Sequence, residues 1–236
     1  MNSKKSSLYK IFFSEIEENI TKYALNKPEI FSVSEIAKLP EPVKRYFKSC
    51  GYIGKEKINS AQIDWKSAYL KMSPKKKWKK IECYQYNSVF EPTRIVYMKS
   101  TTLGFFSFEG RDTFNNGKGN MLIKLMKRFT VSDALGVEID ASALVTILAE
   151  VFLLPNYALQ PYIQWKSIDA NSAEASLTYN DIKVAGIFHF NDRGEIVQFD
   201  TNDRYHSERD GTFRKIKWTC KIANYIENDG IKFPTE

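Results

Sequence analysis

The chain has 236 residues, of which 43% are hydrophobic and 14% aromatic, and its formal net charge is +7. This composition is typical of a globular protein and excludes a disordered chain. The basic balance is compatible with weak, salt-sensitive association with polyanions. No linker rich in Pro, Gly or Ser and no fixed repeat interrupts the sequence. We therefore expect one domain over residues 1–236, with a helical segment over 1–51 and a sheet that carries one helix over 58–236.

The first residues predict no secretory signal, because the apolar run from Leu8 to Phe13 is short and contains Lys10. No apolar run approaches the roughly 18 residues that a membrane-spanning helix needs. Three widely spaced cysteines, an odd number, favour reduced thiols. From these features we expect a soluble cytoplasmic protein without a membrane span.

Two amphipathic helices are predicted near the start of the chain. Residues 4–25 carry apolar side chains at intervals of three and four, which gives one apolar stripe. Ser32 and Glu35 have the spacing of a capping box. A second helix is predicted from Leu39 to Gly51, with Pro42 in its first turn and Gly51 as its C-terminal stop.

From Ile58 onward the apolar pattern changes to that of strands. A first hairpin is predicted from Ile63, Trp65 and Ala68–Met72, and the next two strands are predicted at Ile81–Tyr86 and Thr93–Tyr97. Another hairpin over 101–122 turns at Asn116-Gly117. A lysine-rich segment lies around the far end of the first hairpin and consists of Lys75, Lys76, Lys77, Trp78, Lys79 and Lys80. These lysines could bind phosphates of a nucleic acid or an anionic membrane. Alternatively, they are solvated side chains that keep a strand edge from pairing with other molecules. The sequence favours the second reading, with weak polyanion association and no specific nucleic-acid binding.

Residues 140–154 predict the most hydrophobic helix of the chain, capped by Asp140 and ending before Pro155. Glu150 is its only charged residue after the cap. Its carboxylate is either on a narrow wet edge or buried against a partner such as an arginine. In the buried case it becomes a candidate polar anchor or acid/base group.

The segment from Tyr162 to Tyr205 predicts four short strands joined by tight turns at 169–171, 180–181 and 191–194. Strands joined by such short connections must be antiparallel. Two further strands are predicted at Phe213–Tyr225 and Ile231–Phe233. The predicted fold class is therefore α+β: a large curved antiparallel sheet, a meander that could form a half-barrel, with N-terminal helices and one apolar helix packed against it.

Several motifs occur in an order that resembles a bacterial family of proteins of unknown function. They are LPEPVKRYF at 39–47, Gln85 followed by Pro92, RDTFNNGKGNM at 111–121, AEVFLLPNYAL at 149–159, WKSID at 165–169, FxFxxxGEI at 188–196, and Tyr225, Gly230 and Pro234 in a Y-x-x-x-x-G-x-x-x-P segment. The resemblance extends from about residue 38 to the end. It implies no activity or substrate, and it places Asp112, Glu150 and Arg204 within family motifs.

Two classes of function remain open from the sequence, in addition to the weaker alternative of an anionic-surface binding module at Lys75–Lys80. The first is binding of an apolar or amphiphilic small molecule in a pocket between sheet and helix. Its candidate residues are the aromatic Trp165, Phe188 and Phe190, the neighbouring His189, and the polar anchors Glu150, Arg204 and Asp112. The second is an enzyme that uses a carboxylate with an arginine, Glu150 or Asp112 with Arg204.

The spacing of the two histidines and three cysteines fits no metal site, so we expect neither a metal nor a cofactor. No nucleophile motif is present, and catalytic residues remain unassigned.

Overall fold

The structure is a computed structural model that describes residues 7–23, 28–71, 73, 75–100, 107–208 and 210–236. It is α+β with antiparallel sheets, which confirms the predicted fold class. The described strands form a six-stranded sheet, a five-stranded sheet and a two-stranded hairpin. The chain divides into two compact units, Met1–Leu25 with Ser60–Asp140 and Asn26–Asn59 with Ala141–Glu236. The single domain expected from the sequence stays a prediction.

The first unit contains one helix and the six-stranded sheet. The helix is α1 (Ser7–Tyr23), and the strands pair in chain order: β1 (Ser60–Leu70), β2 (Lys79–Ser88), β3 (Thr93–Ser100), β4 (Phe108–Asn115), β5 (Lys118–Leu125) and β6 (Phe129–Ala134). The predicted hairpin that turns at Asn116-Gly117 joins β4 and β5, whereas residues 63–70 of the first predicted hairpin belong to the single strand β1. The outer residues of the predicted helix (4–6 and 24–25), Met72 of the first predicted hairpin, and residues 101–106 lie outside the described residues.

Helix α1 packs on this sheet through the apolar stripe that its sequence predicted. Leu8, Phe12 and Ile16 are buried against side chains of β2 and β3, among them Tyr86 and Tyr97. Such burial contributes roughly 1.5–3 kcal/mol for each large side chain.

A polar contact fixes the position of α1 along the strands. Arg111 of β4 donates to both carboxylate oxygens of Glu15, with its Nε 3.0 Å from Oε2. A two-point contact of this kind restricts geometry as well as adding energy.

The turn at Asn116-Gly117 is confirmed, because both residues have positive φ, 51° and 75°. Strand β6 was not predicted. Its pairing with β5 shifts register between Ile123 and Lys124, so that Val131 is an extra residue of β6 between two paired positions. This β-bulge breaks the period of two in a strand of only six residues.

The second unit begins with two short helices, α2 (Val33–Ile36) and α3 (Glu41–Ser49). The predicted capping box at Ser32 and Glu35 is present. Lys57 is buried and bonds Glu29 and Glu35 at 2.9 and 2.7 Å, which holds the start of α2 to the following segment.

The chain passes from the first unit to the second within α4 (Val137–Ala149), followed by a 3-10 turn over Glu150–Phe152. The helix starts earlier than predicted, because the Gly136 carbonyl already accepts from the amides of Ile139 and Asp140. Asp140 is therefore inside the helix and is not its N-cap. Its carboxylate instead accepts from the Gly119 amide at 2.6 Å.

The predicted four-stranded meander is confirmed. The strand predicted at Phe213–Tyr225 extends it as a fifth strand, but this strand ends at Lys221, and Tyr225 begins a separate one. The strands are β7 (Ile163–Ser167), β8 (Ser172–Tyr179), β9 (Ile182–Phe190), β10 (Ile196–Ser207) and β11 (Phe213–Lys221), each paired with the next. Leu177, Val184, Phe188 and Phe199 are at most 1% exposed, so one face of this sheet lies in the core.

The chain ends in a hairpin of β12 (Tyr225–Asn228) and β13 (Ile231–Pro234), which contacts the end of α3. The Lys232 amide donates to the Cys50 carbonyl at 2.9 Å, and the Tyr52 hydroxyl donates to the Lys232 carbonyl at 3.2 Å. Gly51 has φ of +77°, and a Cβ at this position would lie 2.0 Å from the Gly230 carbonyl oxygen. Gly51 therefore permits both the helix stop and the close approach of the hairpin.

Candidate functional site

The structure decides between the two environments considered for Glu150: its side chain is buried. It is the first residue of the 3-10 turn after α4, and its charge acts on Cys220 of β11. Burial is the main reason that the pKa of Cys220 is raised to about 11, and the carboxylate of Glu150 raises it further.

Arg204 of β10 holds α4 against the five-stranded sheet. Its Nη1 donates to the Ser142 carbonyl at 3.1 Å and to the Thr146 hydroxyl. Its guanidinium also lies 5.2 Å from the centre of the Trp218 ring. These contacts give Arg204 a structural role as a link between helix and strand.

Asp112 lies in the other unit, on β4 of the six-stranded sheet. Its carboxylate accepts from Arg94 Nη1 at 2.7 Å, and both side chains are largely buried. Within its own unit, Asp112 therefore already has a charged partner on the neighbouring strand.

The aromatic candidates pack against one another. The Phe188 ring lies 5.2 Å from Trp165 and 4.8 Å from Phe199, and Phe190 lies 6.4 Å from Tyr46. The Trp165 Nε1 donates to the Ala158 carbonyl at 2.9 Å. These side chains occupy the core of the second unit, so a ligand between them would have to displace packed protein atoms.

His189 is partly exposed beside Asp200 of β10, with its Nε2 3.1 Å from Asp200 Oδ2. Burial of Asp200 opposes its charged form, but hydrogen bonds from Thr219 and Gln198 outweigh this and hold its pKa below the usual range. His189 is thereby placed next to a carboxylate that remains charged at neutral pH.

A groove on α1 was not predicted from the sequence. It has a volume of about 490 Å³ and is lined by Tyr9, Lys10, Phe13, Ser14 and Glu17. The rings of Tyr9 and Phe13 are 4.7 Å apart and both side chains are partly buried. The helical period placed these residues beside the buried stripe, but only the docked position of α1 turns them into the wall of a groove.

One residue of the groove, Tyr9, contacts Tyr97, which bonds a buried carboxylate. The Tyr9 ring lies 5.4 Å from that of Tyr97, whose hydroxyl donates to Glu109 Oε1 at 2.9 Å. The second oxygen of Glu109 is buried and accepts no hydrogen bond within the described part of the chain. A buried acceptor of this kind costs free energy unless a donor reaches it.

A second basic group lies at the same end of the sheet as the lysine-rich segment. Strand pairing places Leu70 opposite Lys79 at one end of the six-stranded sheet, and the same end holds Leu125 opposite Phe129. The turn between β5 and β6 contributes Lys127 and Arg128, with Lys124 beside them. Because β6 was not predicted, the position of this second basic group at the same end was not expected from the sequence.

Among the described residues, no three His, Cys, Asp or Glu side chains are placed to hold a metal ion. None of the helices in the described ranges has the length and apolar character that a membrane span requires.

A family model described as a family of unknown function (DUF6544) matches residues 29–236. The chain belongs to this family. The match covers the motifs LPEPVKRYF and FxFxxxGEI and both basic groups of the six-stranded sheet, whereas α1 and its groove precede the DUF6544 range. No curated protein and no solved structure matches the chain.

Proposed function

We propose that the protein binds an amphiphilic small molecule in the groove on α1. The observation that carries this proposal is the groove itself, whose volume of about 490 Å³ lies within the range of roughly 300–1,000 Å³ common for ligand sites. The groove is a different place from the pocket between sheet and helix that the sequence predicted, because its lining residues belong to α1.

The lining supports a ligand with one apolar and one polar part. Tyr9 and Phe13 offer adjacent aromatic rings to the apolar part. Lys10, Ser14 and Glu17 are exposed and offer a cation, a hydroxyl and a carboxylate to a polar head. The groove is open, so the head group stays in contact with water.

The residues predicted from the sequence offer a second location for the same function. In that case Trp165, Phe188 and Phe190 bind the apolar part, with Glu150, Arg204 or His189 as polar anchors. The dense packing of the three aromatic side chains favours the groove, because the groove needs no rearrangement of the core.

The test is native mass spectrometry of the protein purified from cells, followed by denaturing extraction of any bound molecule. We expect an amphiphilic adduct whose fraction falls about tenfold or more in Phe13→Ala, since this variant removes one ring of the groove. Ile20→Ala is the matched control, because Ile20 is exposed on the same helix but does not line the groove.

Arg204→Met separates the two locations. If the ligand lies in the groove, this variant keeps the adduct while Phe13→Ala loses it. Loss of the adduct in Arg204→Met with retention in Phe13→Ala would move the site to the five-stranded sheet. A mass without adduct in the wild-type protein, even after incubation with mixed lipids, would contradict ligand binding.

A further inference from the structure

Two hairpins present basic and apolar side chains at one end of the six-stranded sheet. The residue pairs at this end of the sheet are Ile81 with Ser100, Phe108 with Leu125, and Leu125 with Phe129. The β1–β2 and β5–β6 connections therefore lie at the same end. Strands β2 and β5 are three strand intervals apart, which corresponds to about 15 Å.

The charge of the two connecting segments has one sign. The segments 69–81 and 122–131 contain no Asp or Glu. Their cations are Lys71, Lys75, Lys76, Lys77, Lys79, Lys80, Lys124, Lys127 and Arg128. Each lysine or arginine held near an anionic surface adds about fivefold in affinity, so the two groups together can produce firm, salt-sensitive binding.

Large apolar side chains are exposed between these cations. Trp78 is 65% exposed, Phe129 58% and Met126 41%. Lys71 Nζ lies 5.8 Å from the centre of the Trp78 ring. Exposed apolar side chains lower the free energy when they leave water, and Trp in particular favours the boundary between lipid head groups and hydrocarbon.

We propose that this end of the sheet docks on an anionic phospholipid surface. The docking surface consists of Lys71, Ser73, residues 75–80 and Lys124–Val131. The lysines and Arg128 bind lipid phosphates, and Trp78, Met126 and Phe129 enter the head-group layer. The exposed non-aromatic side chains of Leu125, Met126 and Val131 favour lipid over single-stranded nucleic acid, because bases are bound chiefly by aromatic stacking. The inference is independent of the α1 groove.

The test measures sedimentation of the full chain with vesicles of phosphatidylcholine alone and of equal parts phosphatidylcholine and phosphatidylglycerol. We expect binding to the anionic vesicles that falls steeply between about 0.05 and 0.5 M salt. Lys76→Gln, Lys77→Gln and Lys127→Gln combined should weaken this binding on the order of a hundredfold. The control combines Lys183→Gln, Lys217→Gln and Lys221→Gln, which change the net charge equally from exposed sites on the five-stranded sheet.

A second pair of variants tests the apolar contribution. Met126→Ser with Phe129→Ser keeps every cation and should weaken binding about tenfold. Ile58→Ser with Ile226→Ser is its control, since both isoleucines are comparably exposed elsewhere.

Three results would overturn the proposal. The first is equal binding to neutral and anionic vesicles, and the second is equal loss in the test and control lysine variants. The third is tight binding to a thymidine oligonucleotide of about 30 nucleotides without vesicle binding, which would assign the surface to nucleic acid. Loss with the lysine variants but none with the serine pair would overturn insertion of the apolar side chains.

Discussion

The six-stranded and the five-stranded sheet are built from the same antiparallel hairpins, but they bury different side chains. The first holds ion pairs between Arg111 and Glu15 and between Arg94 and Asp112, and in addition to its buried core under α1 it has large apolar residues exposed at one end. The second buries Phe188 and Phe199 completely in contact with one another. Apolar burial supplies more stability per residue than paired charges do, since paired charges lose their hydration. The first sheet differs in its exposed apolar end, for which we propose a lipid partner.

Phe188→Ala should have the largest effect on stability, with a loss of about 4 kcal/mol in the free energy of unfolding. The reason is the cavity left beside Trp165 and Phe199. Val131→Ala, at an exposed position of the six-stranded sheet, should stay within about 0.5 kcal/mol. Urea denaturation measures both, and a loss below about 1 kcal/mol in Phe188→Ala would show that the core refills the space.

Alkaline pH should destabilise the second unit through the contact of α3 with the C-terminal hairpin. Burial raises the pKa of the Cys50 thiol and of the Tyr52 phenol to about 12, from ordinary values of 9.0 and 10.0. Burial also raises the pKa of Tyr46.

Because these pKa values are higher in the folded state, the neutral forms stabilise the fold below about pH 9. That stabilisation is lost as the pH rises toward about 12. Between about pH 8 and pH 11 we expect a loss on the order of 3 kcal/mol, measured from urea midpoints. Tyr52→Phe should lessen the dependence on pH, and an unchanged slope in this variant would contradict the assignment.

Gly51→Ala and Gly54→Ala form a matched pair within the second unit. Both glycines have φ near +78°, at +77° and +79°, so the backbone cost of alanine, about 1 kcal/mol, is shared. Only at Gly51 does the new Cβ meet backbone, the carbonyl of Gly230. We expect Gly51→Ala to lose about 2 kcal/mol more than Gly54→Ala in thermal or urea unfolding. Equal losses would mean that the hairpin moves away without cost.

Trp78→Ala should have the smallest effect on stability, within about 0.5 kcal/mol, because the side chain is mostly exposed. The same variant should weaken binding to anionic vesicles several-fold. Weaker vesicle binding without a loss of stability would distinguish the first unit from the second, because we expect a residue that affects partner binding but not folding only in the first. A clear loss of thermal stability in Trp78→Ala would contradict it.

Much of the fold follows from short-range patterns. The alternation in residues 173–190 predicted β8 and β9, and the turn at Asn180-Asp181 has the positive φ values that its sequence favours. The apolar stripe of α1 and the first-turn proline of α3 likewise marked their helices. Strand β6 was not predicted because its bulge removes the period of two from the apolar pattern.

The sequence therefore determined the helices, most strands and the antiparallel class, since these depend on residues a few positions apart. Tertiary structure alone decided that Glu150 is buried and that Arg204 bonds Ser142 and Thr146. It alone formed the α1 groove and placed Lys75–Lys80 at the same end of a sheet as Lys127 and Arg128. These features depend on strand register and helix docking between residues that are distant in the chain, and no local pattern encodes which distant residues meet.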